Sequence, residues 1–185
     1  MESLANHCSR TITVLVLAIS LATGCTSFND ALTPSLEVEK DPFDGSIILR
    51  QRPVSAAGSL SEAFHLLGFD WRSRTPDSVF VTAGIVGTHA VSGVQFNVDG
   101  RFIRNVKLAS ATTEFSDGNS YRRFEITVEE FTVIATGKAV KMRLDGINDY
   151  TVSSFGPEGS GSMAIINSKF QPFLRQLQEK RSGRF

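Results

Sequence analysis

The residues best suited to chemistry in this chain are its histidines and cysteines. The 185 residues include three histidines and two cysteines, and after residue 30 only His65 and His89 remain of these two types. Zinc sites need cysteines or histidines at close, paired spacings, and the sequence after residue 30 offers none. We therefore predict no metal site and no cofactor. The turn-forming residues around His89 indicate a solvated loop, whereas His65 is expected at the boundary of a short helix.

A hydrolase would need a nucleophile that is activated by a base such as His65 or His89. The sequence contains no Gly-x-Ser-x-Gly motif, which exposes a serine at a strand-to-helix turn in many hydrolases. Ser160 lies in a glycine-rich stretch, 156–162, that is typical of a flexible loop and lacks the Lys-Ser/Thr pair of a phosphate-binding loop. We therefore predict that the protein is not an enzyme, and we keep a hydrolase that uses His65 or His89 as an alternative.

One further polar cluster, Asp70-Trp71-Arg72, contains the only tryptophan of the chain. Its simplest explanation is a surface Asp–Arg pair beside an anchoring ring. Tryptophan is enriched among the residues that contribute most to protein–protein binding. Trp71 is therefore the residue that we expect to contact a protein partner.

The position of Cys25 gives the strongest signal in the sequence. It follows an apolar run from Thr11 to Ala22, which is shorter than the about 20 residues needed to cross roughly 30 Å of hydrocarbon. This length, preceded by Arg10, is typical of the apolar region of a secretory signal peptide. The run ends in Leu21-Ala22-Thr23-Gly24-Cys25.

This ending resembles the lipobox of bacterial lipoproteins. The resemblance implies that the Cys25 thiol is diacylglycerylated, that the bond between Gly24 and Cys25 is cleaved, and that residues 1–24 are a signal peptide. Thr26 follows where an Asp would favour retention in the inner membrane, so the resemblance implies the outer membrane, with the domain facing the periplasm. Acyl chains contribute about 0.8 kcal/mol per buried CH₂, which makes such an attachment stable.

Two other interpretations of this segment are an uncleaved membrane helix and an ordinary secretory signal cleaved near Ala22. Cysteine usage favours the lipoprotein. Cys8 would leave with the signal peptide, so the mature chain would have no second cysteine for an internal disulfide.

Composition limits the ligands and partners that we expect. Lysine and arginine number 19, as do aspartate and glutamate, and this balance gives no reason to expect nucleic acid. Fourteen phenylalanines stand against two tyrosines and one tryptophan. Phenylalanine has no polar group, so this bias predicts a phenylalanine-rich core or, as an alternative, an apolar cavity for a lipid or similar ligand.

Two short helices are predicted within the chain. Ser59 and Glu62 form a capping-box pattern before an apolar face in Leu60–Leu67. The same pattern recurs at Thr127 and Glu130, and Gly137 would end the second helix. The β-branched residues that continue to Val133 make an uninterrupted strand the alternative there.

A third helix is predicted at the carboxyl end, starting near Ser168 or Gln171. Its amphipathic pattern places apolar residues at helical spacing on one face: Phe170, Phe173, Leu174 and Leu177.

Alternating and β-branched segments predict strands at Ser46–Arg52, Val79–Val86, Val91–Val98, Phe102–Leu108, Tyr121–Ile126, Ala139–Leu144, Tyr150–Ser154 and Met163–Ile166. Pro53 is expected to end the first of these. Asp99-Gly100 indicates a hairpin, for which we favour a three-residue loop that sets Phe96 opposite Phe102. A two-residue loop would set Phe96 opposite Ile103.

Together these patterns predict a tether at 25–35 and a single α+β domain at 36–185. The domain is expected to contain a mostly antiparallel sheet of about six to eight strands with the helices on one face. The expected role is a non-enzymatic binding or assembly accessory of the cell envelope, with the membrane and an envelope protein as partners. A carrier of apolar ligands and a hydrolase are the alternatives.

Overall fold

A computed structural model describes residues 33–104, 106–159 and 164–183 of the protein. The predicted signal peptide, Gly24 and Cys25 lie outside these residues, as do Ser160 and Met163. From Leu36 onward the described residues form one compact unit. One hydrophobic cluster within this unit contains residues of both sheets and both helices.

The described strands form two antiparallel sheets. The large sheet has seven strands in the order β1-β2-β3-β4-β9-β7, with β8 also paired to β9, and the small sheet has four in the order β11-β10-β5-β6. The bounds are β1 (Glu37–Lys40), β2 (Ile47–Ser55), β3 (His65–Arg72), β4 (Ser78–Val86), β5 (Gly93–Val98), β6 (Arg101–Phe102), β7 (Lys107–Leu108), β8 (Glu114–Ser116), β9 (Asn119–Thr127), β10 (Val140–Asp145) and β11 (Tyr150–Phe155).

Two helices, α1 (Val128–Thr136) and α2 (Asn167–Arg181), accompany these strands in the described part of the chain. The predicted α+β class with a mostly antiparallel sheet is therefore confirmed. The residues that were expected to form the apolar face of α2 are all buried: Phe170, Phe173, Leu174 and Leu177.

The helices pack on what we call the inner face of the large sheet through a cluster of phenylalanine rings. The ring of Phe69 on β3 lies 4.9 Å from that of Phe131 on α1 and 4.6 Å from that of Phe173 on α2, both edge to face. Phe170 stacks on Phe69 at 5.4 Å and on Phe155 of the small sheet at 5.8 Å. Edge-to-face and offset stacking are the favoured geometries of aromatic pairs, so this cluster joins both sheets to both helices.

Helix α1 confirms the second capping box. The Glu130 amide donates to the Thr127 hydroxyl oxygen at 3.1 Å, and the Thr127 amide donates to the Glu130 carboxylate at 3.2 Å. These reciprocal bonds satisfy two amides that a helix start leaves unpaired. They stop β9 at Thr127, although the β-branched residues beyond it would also suit a strand.

The predicted helix Leu60–Leu67 is wrong, because Ser59–Glu62 forms a turn and His65–Arg72 forms β3. The Glu62 carboxylate accepts hydrogen bonds from the amides of Gly58 (2.9 Å) and Ser154 (3.1 Å), which ties this turn to the small sheet. Every second residue from Leu67 points into the core, and this two-residue period continues to Trp71. Sheet pairing on both sides of β3 outweighs the local helix signal.

Pro53 does not end β2, contrary to the prediction. The strand continues to Ser55, and its pairing with β3 shifts between Gln51 and Val54. A bulge accommodates a proline because the extra residue needs no amide in the ladder. Gly68 lies opposite, where a Cβ would come within 2.7 Å of the Pro53 nitrogen, so glycine is required at this position.

The β5–β6 hairpin has the two-residue loop rather than the favoured three-residue loop. Asn97 pairs with Phe102, and the Ile103 amide donates to the Phe96 carbonyl at 2.9 Å. Both Asp99 and Gly100 have positive φ angles (51° and 85°), as a turn that follows the twist of the strands requires. The two-residue loop leaves the Phe102 side chain exposed.

Two other predicted strands also differ from the structure. The segment Phe102–Leu108 is not one strand, because β6 pairs with β5 in the small sheet and β7 pairs with β9 in the large sheet. Ala164–Ile166 forms a turn that leads into α2, not a strand.

Substitution of Phe69 by alanine is expected to lower the free energy of unfolding by about 3–5 kcal/mol, because it removes a ring that contacts both helices. The matched control is Phe43→Ala, since Phe43 is 97% exposed and its loss should change stability by less than about 0.5 kcal/mol. Urea denaturation of both variants measures the difference. Equal stability of the two variants would show that the phenylalanine cluster does not hold the helices in place.

Candidate functional site

His65 lies between the two sheets and is fully buried. Its Nδ1 is 2.8 Å from the Ser153 hydroxyl oxygen, and its Nε2 is 2.8 Å from the Thr151 hydroxyl oxygen. Thr151 and Ser153 are alternate residues of β11, so both hydroxyls point to the same side of the small sheet. The imidazole therefore bridges β3 and β11 with both ring nitrogens.

The surroundings of His65 favour its neutral form. Burial lowers the pKa of His65 to about 4, and the nearby Glu62 carboxylate opposes this effect only in part. A neutral imidazole between two hydroxyls can donate from one nitrogen and accept at the other. Ser153 is also fully buried, so no substrate can reach this pair in the folded domain. The geometry fits a structural bridge between the sheets.

His89 occupies an exposed loop, as predicted. It lines a cleft of about 370 Å³ together with Asp145, Asp149 and Thr151. Two of the polar groups of this cleft already have partners within the protein. Asp145 pairs with Arg143 at 2.6 Å, and Thr151 contacts His65. His65 is thus separated from the cleft by Thr151, and the two histidines do not form one site.

Trp71 is only 1% exposed, so the folded domain does not offer its ring to a partner. Its Nε1 donates to the Pro76 carbonyl oxygen at 3.0 Å, which satisfies its one polar group. Alternation along β3 explains the burial, because Trp71 points to the same face as Phe69. The predicted partner-contact residue is therefore buried in the core, and the residues on either side of it point to the opposite face.

Asp70 and Arg72 point to the opposite, open face of the large sheet, where they line a cleft of about 260 Å³. Four neighbouring strands bring the polar residues of this cleft together. Arg50 on β2 pairs directly with Asp70 on β3, while Arg123 on β9 pairs with Thr82 on β4. We call the cleft formed by Arg50, Arg52, Arg72, Arg123 and Asp70 the arginine cleft.

The single buried carboxylate of the arginine cleft is shared among several cations. Asp70 forms a close ion pair with Arg123, and its Oδ2 lies 3.8 Å from the Arg72 Nε. Burial raises the pKa of Asp70, while the charges of Arg123, Arg72 and Arg50 act in the opposite direction. Arg52 instead pairs with Glu37 at 2.7 Å.

Donor groups in the arginine cleft outnumber their acceptors. The Nε atoms of Arg72 and Arg123 are buried and have no hydrogen-bond partner. Arg50 forms no ion pair with any residue that the structure describes. Such donors are usually satisfied in folded proteins. The guanidinium groups of the cleft can therefore donate to an acceptor that enters it.

Arg122 also lines this cleft, yet its guanidinium group has a structural role. It donates to the carbonyl oxygens of Val91 at 2.7 Å and Ala111 at 3.0 Å. These bonds tie the loop before β5 and the loop before β8 to β9. We therefore do not count Arg122 among the binding groups.

Sequence reasoning did not identify the arginine cleft. The spacing of Arg50 and Arg52, and of Asp70 and Arg72, places each pair on one face of a strand. That signal was available in the sequence. The strand order β2-β3-β4-β9, which brings Arg123 to the same face, was not.

Comparison with models of known protein families and with curated proteins gives no match for this chain. Residues 33–104, 106–159 and 164–183 contain no group of three or more His, Cys, Asp or Glu side chains that could hold a metal ion. None of the helices described in these ranges is long and apolar enough to span a membrane.

The domain is expected to lose stability as the pH falls from about 6.5 to about 4. The unfolded chain protonates His65 near its ordinary pKa of 6.5, whereas the folded domain resists protonation until about 4, so acid favours unfolding. This group alone should remove about 2 kcal/mol at pH 5 relative to pH 7. Urea denaturation at several pH values measures the effect.

Two variants serve as comparisons. His65→Gln should reduce the change in the free energy of unfolding between about pH 6.5 and about pH 4, and His89→Gln should leave that change as it is in the unsubstituted protein. NMR titration of the His65 ring in the unsubstituted protein gives its pKa directly. An His65 pKa near 6.5 would contradict the buried neutral bridge.

Proposed function

We propose that the protein is a lipid-anchored lipoprotein of the outer membrane that faces the periplasm and acts as a non-enzymatic binding or assembly accessory of the cell envelope. The observation that carries this proposal is the apolar run that ends in Leu21-Ala22-Thr23-Gly24-Cys25. In the lipobox that this segment resembles, the cysteine at this position is the residue that is acylated. The membrane, through the Cys25 lipid, and an envelope component are the expected partners.

The domain that follows supports a binding role. Its described residues form a compact unit from Leu36 onward, so the segment before it can serve as a tether. The arginine cleft lies on the open face of the large sheet and has donors without partners. These two features suit a protein held at a membrane that binds a component in the space beside it.

The carrier alternative receives no support from the packing of the phenylalanines. The rings of Phe69, Phe131 and Phe173 are within 5.3 Å of one another, centroid to centroid. They occupy the space between the large sheet and the helices, where an apolar ligand would have to bind. This contact favours a core over a ligand cavity.

The hydrolase alternative also lacks a supporting arrangement. His65 is fully buried between two hydroxyls, and His89 lies on a loop beside a cleft whose carboxylate at Asp145 is already paired. Thr151 lines this cleft and its hydroxyl oxygen lies 2.8 Å from His65 Nε2. Because burial lowers the pKa of His65 to about 4, this imidazole is a weak base for activating that hydroxyl.

Substitution Cys25→Ala in the native host is expected to abolish both fatty-acid incorporation and recovery of the protein in the outer-membrane fraction, because the thiol is the only site of attachment in the proposal. Metabolic labelling with a fatty acid and membrane fractionation measure these outcomes. Cys8→Ala is the matched control, since Cys8 lies in the proposed signal peptide, and it should change neither result.

Intact-mass measurement of the unsubstituted protein completes the test. We expect a mature chain that begins at Cys25 and carries the mass of its acyl groups. A chain that retains residues 1–24, or one that begins elsewhere without fatty acid, would contradict the proposed location.

A further inference from the structure

We propose that the arginine cleft binds a phosphate group with monoester-like charge, either as free phosphate or at the end of a lipid headgroup. This inference names the ligand class of the binding role proposed above and rests on that role. It is carried by the convergence of Arg50, Arg72 and Arg123 on one buried carboxylate, Asp70, on the open face of the large sheet.

The register of the sheet produces this convergence. Arg50 and Asp70 are direct partners on β2 and β3, and Arg72 follows Asp70 by two residues on the same face. Arg123 reaches Asp70 from β9, across β4, and forms a close ion pair with it. The backbone ladders therefore hold the three guanidinium groups at fixed relative positions, and a preformed site loses little entropy on binding.

Charge is not balanced within the cleft. Arg52 pairs with Glu37, and Arg122 and Glu114, which also line the cleft, carry opposite formal charges. The remaining cations, Arg50, Arg72 and Arg123, share the one carboxylate of Asp70. Two positive charges are thus left without a counter-charge.

A phosphate monoester matches this excess better than a carboxylate does. It carries about −1.5 to −2 charge at pH 7, whereas a carboxylate carries a single negative charge. It also presents three acceptor oxygens, which suit several donors arranged around a small cleft. The cleft volume of about 260 Å³ accommodates the phosphate and the atoms next to it, and leaves acyl chains outside.

Hydrogen bonding points to the same ligand. The Nε atoms of Arg72 and Arg123 are buried and have no acceptor. Guanidinium groups bind phosphate through pairs of parallel N–H···O bonds, and these are among the strongest hydrogen bonds in proteins. The side chains of Arg72 and Arg123 are nevertheless 36% and 34% exposed, so the accessible part of each guanidinium group can donate to a phosphate in the cleft.

The guanidinium group of Arg123 stacks on the ring of Phe80. Its Cζ lies 4.4 Å from the centre of the Phe80 ring, on the same face of the sheet. Arginine favours such stacking on aromatic rings, which holds the plane of the guanidinium group while leaving its edge free to bind. Arg123 is therefore both paired with Asp70 and oriented for a further acceptor.

The test is isothermal titration calorimetry of the purified full chain in detergent micelles, with inorganic phosphate as the first probe. We expect saturable binding that weakens as the salt concentration rises. Arg50→Ala and Arg72→Ala should each weaken binding about tenfold or more, because each removes a charged donor. Arg50→Lys keeps the positive charge but loses the planar guanidinium fork. Its phosphate affinity should lie between that of the unsubstituted protein and that of Arg50→Ala.

Lys141→Ala is the matched control, because Lys141 is exposed on the small sheet, away from the cleft. It should bind phosphate as the unsubstituted protein does. Thermal unfolding of every variant separates loss of binding from loss of folding. Arg50 is part-exposed and forms no ion pair with a described residue, so Arg50→Ala is expected to fold.

Three further probes identify the source of the phosphate. Dihexanoyl phosphatidic acid carries the monoester, and dihexanoyl phosphatidylcholine carries a diester with a cation. Tighter binding of the phosphatidic acid than of inorganic phosphate assigns a lipid headgroup, and equal or weaker binding assigns free phosphate. The phosphatidylcholine and acetate should both bind more weakly than inorganic phosphate.

Absence of phosphate binding, or binding that survives both Arg50→Ala and Arg72→Ala, would overturn the inference. Acetate binding as tight as phosphate binding would overturn the choice of phosphate. Failure of this inference is distinguishable from failure of the proposed function. A protein acylated at Cys25 that does not bind phosphate contradicts the ligand alone, whereas an unacylated protein that binds phosphate contradicts the anchor alone.

Discussion

The contact of Phe69 with the rings of Phe131 and Phe173 determines which surfaces of this domain remain available. It holds both helices against the inner face of the large sheet. Phe170 extends the same cluster to Phe155, and so includes the small sheet. Since this side of the sheet is covered by aromatic packing, the opposite face is left to solvent. The fold thus separates a packed apolar side from an open polar side.

Strand β3 connects these two sides residue by residue. Phe69 and Trp71 point into the core, while Asp70 and Arg72 point to the open face. Each core contact that fixes β3 therefore also fixes the carboxylate around which the arginine cleft is built. His65 acts similarly at the start of the strand, where it joins β3 to the small sheet.

The sequence predicted those features that depend on neighbouring residues. The capping box at Thr127 and Glu130 and the apolar spacing around Phe170 were sufficient to predict α1 and α2, because both signals act within a few turns of helix. The capping pattern at Ser59 predicted a helix that does not form, because the pairing of β3 with strands on both sides outweighs a local helix signal. The hairpin register was predicted wrongly because the apolar stacking of Phe102 was favoured over the two-residue turn that an Asp-Gly pair prefers.

The candidate site was beyond sequence reasoning for a related reason. Arg50 and Arg123 are far apart in the chain and meet only because β2, β3, β4 and β9 are neighbours in the sheet. The residue type of Trp71 predicted a partner contact, whereas strand alternation places this ring in the core. Alternation also explains why Asp70 and Arg72, on either side of it, point to the opposite face of the sheet.

The most direct test of this division between a filled inner face and a binding open face is a heteronuclear NMR titration of the protein with inorganic phosphate. We expect the largest shift changes at the side-chain Nε–H signals of Arg50, Arg72 and Arg123, with the aromatic signals of Phe69 and Phe131 unchanged. Shift changes centred on those rings, with the three arginine signals unaffected, would contradict it.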